Sequence, residues 1–132
     1  MESLTISTKL RSEFIDITSE VQRIVSKSKI KSSLCTVFCP HTTAGLTINE
    51  NADSDVVADI INHLNKLVPE SGFKHSEGNS DAHIKASLMG SSLNIIIENG
   101  KLVLGTWQGI YFCEFDGPRE RKVFVNVPEN RK

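Results

Sequence analysis

At 132 residues with an apolar fraction of 39%, the chain suits one two-layer core of an ordinary α+β domain. Fifteen basic and sixteen acidic residues nearly cancel and no aromatic–basic pattern stands out, so nucleic acid is set aside as a partner. No run approaches the roughly 18 apolar residues a membrane helix needs, and Met1-Glu2-Ser3-Leu4 lacks a signal-peptide start, so a cytoplasmic protein without a membrane partner is the expectation.

Leu4, Ile6, Thr8 and Leu10 alternate with polar residues and predict a half-buried first strand. A short strand over 14–17 follows. Thr18 or Ser19 is then expected to cap a helix, with Ser19 and Gln22 spaced as a capping box and Val21, Ile24 and Val25 facing inwards. Residues 33–39 are apolar at both parities, which predicts a central strand covered on two sides. The odd cysteine count (Cys35, Cys39, Cys113) and the absence of a CxxC pair point to small buried hydrophobes, the alternative being a reactive or metal-bound thiol.

Pro40 ends that strand's ladder, and Leu46 and Ile48 mark the next one. Glu50 continues their parity, so either the strand has ended or a carboxylate points into a partly apolar pocket as a candidate base. Asp53 or Asp55 caps a helix whose stripe is Val56, Ile60, Leu64 and Val68, stopped by Pro69. Residues 70–80 have no period and read as a long loop, a common place for function. Asp81 is expected to cap a short helix over 82–89, closed by Gly90, with His83 and Ser87 on one face and Ile84 and Leu88 on another. Strands over 93–98 and 101–104 flank the hairpin signal Asn99-Gly100, and strands over 110–115 and 121–127 complete the chain. Three or four consecutive antiparallel strands favour the α+β class: one mainly antiparallel sheet with two longer helices and one short helix.

Three of the four histidines, His41, His75 and His83, lie in polar segments between apolar elements, and neutral imidazoles suit zinc. Their spacing matches no short zinc motif, so scattered or capping histidines are the alternative. His63 sits mid-helix outside the cluster. Glu50, Asp53, Glu77 and Asp81 are candidate acid–base groups or magnesium ligands, with helix capping as the competing role for Asp53 and Asp81. Thr42 and Thr43, with Gly45, offer hydroxyls and amides to an anion, or form a plain turn. Arg119 and Arg121, near a Gly-Pro turn, are candidate phosphate ligands or solvated edge charges. Trp107 is read as a core anchor or interface residue and Gln108 as the better ligand contact.

Pro40-His41-Thr42-Thr43-Ala44, Asn49-Glu50-Asn51-Ala52-Asp53, His75 through Gly78-Asn79-Ser80-Asp81-Ala82-His83, and Gly105-Thr106-Trp107-Gln108 together resemble the YjbQ-like family, whose members are described as secondary thiamine-phosphate synthase enzymes. The resemblance spans nearly the whole chain. It implies an α+β homotrimer with a polar pocket lined by His41, Glu50, His75, His83 and Gln108. His41, His75 and His83 would be the metal ligands, with zinc as the expected ion and magnesium as the alternative beside a diphosphate. The implied reaction joins hydroxymethylpyrimidine diphosphate to a thiazole phosphate and releases pyrophosphate. It needs diphosphate neutralisation and stabilisation of a developing cation at the pyrimidine carbon. Glu50, His41 and Gln108 are then the catalytic candidates, and Thr42, Thr43, Asn79, Ser87, Lys85 and Arg119 the contacts to a phosphorylated metabolite. A zinc hydrolase and a non-catalytic trimeric metabolite-binding protein are the competing readings.

Overall fold

Alternation builds the first strand in part: β1 spans Glu2–Ser7 with Leu4 and Ile6 buried, Thr8 is buried just beyond it, and Leu10, expected on the same face, lies outside the strand and is exposed. The computed structural model describes residues 1–129. After β1 come β2 (Glu13–Asp16), α1 (Thr18–Ser28), β3 (Ser32–Phe38), β4 (Ala44–Glu50), α2 (Ser54–Leu67) and α3 (Ser80–Met89). The chain continues through β5 (Ser92–Glu98), β6 (Lys101–Leu102), β7 (Gln108–Glu114) and β8 (Glu120–Asn126). The strands form two antiparallel sheets, ordered β1-β8-β3-β5-β6 and β2-β7-β4.

The consecutive antiparallel run read from the sequence is therefore divided. β5 and β6 pair, but β7 leaves for the smaller sheet and β8 returns between β1 and β3. Sequence alternation reports which face of a strand is buried, and says little about which strand lies alongside it. Val21 and Val25 of α1, Val37, Leu46, Ile97, Ile110, Phe112, Val123 and Val125 fill the space between the sheets. On the other side of the smaller sheet, Tyr111, Cys113 and Phe115 pack with Leu64 of α2 and Ala82 and Ala86 of α3. Thus β7, buried from Gly109 onwards, is the strand covered on both faces. β3 is central in its sheet but leaves Leu34 and Phe38 about four-tenths exposed on its outer face.

Helix ends follow the local chemistry with two corrections. Asp53 caps α2 by accepting the Asp55 N–H, and Gly90, at φ 97°, closes α3. The Ser19–Gln22 capping box does not form. Asp16 accepts the Thr18 N–H instead, while the Gln22 amide binds Ser26 and the β5–β6 hairpin at Gly100 and Leu102. Asp81 does not cap α3 either, since the capping position belongs to Asn79 and Asp81 is buried against the Arg11 guanidinium. Helix α3 buries Asp81, Ala82, Lys85 and Ala86 and leaves Ile84 and Leu88 exposed, because small residues let it approach β4 closely. A Cβ added at Gly45 would stand 2.8 Å from the Gly90 oxygen and 3.0 Å from the Met89 Cβ.

Asn99 and Gly100 take positive φ angles of 53° and 75°, the two-residue turn that matches strand twist. Gly100→Ala is expected to lower unfolding free energy by about 1 kcal/mol, because an L side chain is strained at that angle. A lower urea midpoint with unchanged slope is the check.

Candidate functional site

The site begins where β3 stops. Pro40 carries no N–H to extend the ladder, and the His41 ring takes up the next amide of β8, Nε2 accepting the Lys122 N–H at 3.0 Å. With Nε2 accepting, the neutral ring carries its proton on Nδ1. Burial, and then the charge of Arg121, hold the His41 pKa below its ordinary 6.5, and Arg119 acts in the same direction. His41, Thr42 and Ala44 form one wall of a depression of about 500 Å³, and His83, Ala86 and Ser87 of α3 the other, with Gly90 and Ser91 between them.

Asn79, His83 and Ser87 are four apart, so they run along one stripe of α3. The Asn79 carbonyl accepts the Ala82 and His83 amides, and the Ser87 hydroxyl donates to the His83 carbonyl at 3.0 Å. The His75 ring meets that of His83 edge to face, with centroids 5.7 Å apart, and its Nε2 lies 3.7 Å from Glu77. At the start of the helix the Asn79 amide donates to Asp116 Oδ2 at 2.9 Å, and Arg119 binds the same oxygen at 3.1 Å.

The fold therefore gathers His41, Thr42, His83 and Ser87 around one depression. His75 stands against its edge, and Asn79 and Arg119 are joined through Asp116 at one end of α3. Other candidates lie elsewhere. Glu50 and Gln108 face each other across β4 and β7, six residues from Ala44 and so about 20 Å along the strand. The Glu50 carbonyl accepts the Tyr111 hydroxyl, and Gln108 Oε1 accepts the Gly105 N–H. Lys85 points away from His83 into the interior and donates to Asn65; burial lowers its pKa against the opposing pull of Asp81. The Thr43 hydroxyl is also internal, bound by Arg121 at 2.9 Å. Trp107, 63% exposed, is not a core anchor.

Three imidazoles suit zinc as a donor set, but His41 Nε2 is engaged by Lys122, and no three such groups among the described residues are placed to hold one ion, so a shared ion requires the rings to move. The cysteines are free and buried, and burial raises each thiol pKa, to about 11 for Cys35, in keeping with small hydrophobes.

The principal residue missed from sequence is Glu114, and Arg121, read there as a phosphate ligand or a solvated edge charge, is its partner. They form a buried ion pair in which the carboxylate also accepts the Thr8 hydroxyl and the N–H groups of Phe115 and Asp116. A signal was present: Glu114 shares the parity of Ile110 and Phe112, and Arg121 that of Val123 and Val125. Arg121 is thus committed internally and is no phosphate ligand.

A family model described as UPF0047 protein YjbQ-like matches residues 2–130. A UPF0047 protein of Methanocaldococcus jannaschii is 55% identical over 92% of this chain and 89% of its own. The UPF0047 protein YugU of Bacillus subtilis is 49% identical, covering 96% of this chain and 98% of its own. Among solved structures, an uncharacterized conserved protein of the YjbQ/UPF0047 family from Clostridium acetobutylicum superposes with a TM-score of 0.95. It is 60% identical over 97% of this chain and all of that one. A YbjQ-like protein of unknown function from Sulfolobus solfataricus superposes with a TM-score of 0.92 at 36% identity, over 96% of this chain and 94% of that one.

Proposed function

The chain belongs to the YjbQ-like UPF0047 family, and on that footing we propose that it is a small cytoplasmic enzyme acting on a phosphorylated metabolite in the depression between the 41–43 turn and α3. The supporting observation is the convergence of His41, Thr42, His83 and Ser87 on that depression. A neutral His41 presenting Nδ1–H, the Thr42 hydroxyl and the His83 imidazole are donors for phosphate oxygens, and Ser87 would join them by turning its hydroxyl away from the His83 carbonyl. Arg119, held on Asp116 at one end of α3, would bring a positive charge to the same ligand.

The reaction to test first is thiamine-phosphate synthesis. The thiazole nitrogen forms a C–N bond to the pyrimidine methylene as its C–O bond to diphosphate breaks, releasing pyrophosphate. Arg119, Thr42 and Ser87 would hold the diphosphate, and His41 would donate to the departing oxygen. A divalent ion would be held by His75, His83 and a turned His41 and would add Lewis-acid neutralisation; zinc suits these ligands, and magnesium suits the diphosphate.

Glu50 and Gln108 would reach such a site only from another copy of the chain, which is the part a homotrimer would play. The outer face of β3 and β5, where Leu34 lies opposite Ile96, supplies apolar surface for that assembly. No helix among the described residues is long and apolar enough to cross a membrane.

The test is pyrophosphate release by the full-length protein, given each thiamine precursor alone and both together, with and without added zinc or magnesium. Release only with both supports the synthase, and His83→Ala is expected to lower the rate by about 100-fold or more. Release from the diphosphate alone would instead indicate a hydrolase. Saturable binding without turnover would leave a metabolite-binding protein.

A further inference from the structure

We propose that Glu114 and Arg121 are a positioning pair that sets the two walls of the histidine depression relative to each other. Both are buried, at 0% and 2% exposure, and neither reaches the depression. From Arg121 the contacts run to the first wall: its guanidinium donates to the Thr43 hydroxyl at 2.9 Å and approaches the Thr43 carbonyl at 3.4 Å. Thr43 ends the turn that carries His41 and Thr42, and the amide held by the His41 ring belongs to Lys122, the residue after Arg121.

From Glu114 the contacts run to the second wall. Its Oε2 accepts the Asp116 N–H at 3.1 Å; the Asp116 carboxylate accepts the Asn79 amide; and the Asn79 carbonyl receives the His83 N–H. The two branches meet in the ion pair, where Arg121 grips both carboxylate oxygens of Glu114. Thr8 closes the junction by donating to Glu114 Oε1 and accepting the Arg119 N–H. A planar guanidinium can hold Thr43 and the carboxylate together, whereas a lysine ammonium on a flexible stem offers no such fork. This role is independent of which reaction the depression serves.

The test is an NMR study of the full-length protein in three forms: native, Arg121→Lys, and the neutral pair Glu114→Gln/Arg121→Gln. The neutral pair is included because it leaves no buried ion uncompensated. The neutral pair loses the fork that joins the two branches and is expected to shift the ring signals of both His41 and His83. Arg121→Lys keeps the charge but loses the fork. It is expected to speed exchange of the Lys122 amide about tenfold relative to Val123 and Val125, and to shift the ring signals of both His41 and His83. A merely structural role would loosen β8 evenly, leaving the Lys122 to Val123 ratio and the His83 signals where they are. That result, or His83 ring signals unmoved in the neutral pair, would overturn the proposal.

Discussion

Glu114→Ala is expected to cost about 3–5 kcal/mol of folding stability, measured by urea denaturation, because it strands the Arg121 guanidinium in the interior. The carboxylate is fully buried and accepts from Arg121, Thr8 and two backbone amides, so truncation also orphans those donors. In a double-mutant cycle, the neutral pair Glu114→Gln/Arg121→Gln should lose less than the sum of its two single substitutions. The same group predicts acid sensitivity. Burial pushes the Glu114 carboxyl up, but the bonds from Arg121, the Asp116 N–H and Thr8 outweigh it and hold the folded pKa below the ordinary 4.5. The unfolded chain therefore takes up the proton first on acidification. Glu114's contribution is complete well above pH 4.5, falls as pH drops below it, and is gone once the pH passes the folded pKa. A Glu114→Gln variant should show a shallower fall in stability across that window, and an acid slope equal to the native one would contradict this.

Gly117→Ala is expected to destabilise by about 3 kcal/mol, lowering the melting temperature by roughly 10 °C. A Cβ there would stand 2.3 Å from the Leu10 carbonyl oxygen, 2.8 Å from Thr8 Oγ1 and 2.9 Å from Glu114 Cγ. The nearest of these is backbone and cannot rotate aside. The chain around Leu10 would have to move, breaking the bond from the Gly117 N–H to the Arg11 carbonyl at 3.0 Å. Because Thr8 and Glu114 also belong to the junction behind the histidine walls, the variant's His41 signals should shift along with its stability. An unchanged melting temperature would mean that the approach of residues 8–11 to Gly117 is looser than described.

Much of the site's material is legible in sequence because it interrupts the apolar periods. His41-Thr42 follows the proline that ends β3. The 70–80 stretch has no period, and the spacing of His83 and Ser87 places both on one face of a helix. Lys85 misleads for the same reason that exposed lysines are the norm: nothing local says that α3 turns it inwards to Asn65. The outer face of β3 misleads in the other direction, since Leu34 and Phe38 read as core while the single chain leaves them exposed.

The sequence by itself determined the elements, most of their ends and the histidine-bearing segments, because alternation, helical spacing, Pro40, Asp53, Gly90 and Asn99-Gly100 act through neighbours a few residues away. Only the tertiary structure decided that β7 and β8 belong to different sheets, that Glu50 and Gln108 lie far from His41 along the strands, and that Glu114 and Arg121 join beneath the site. Those outcomes depend on pairings such as Val37 with Val125 and Thr8 with Glu114, between residues far apart in the chain. Such pairings are chosen by burial and charge compensation over the whole molecule, which no local pattern encodes.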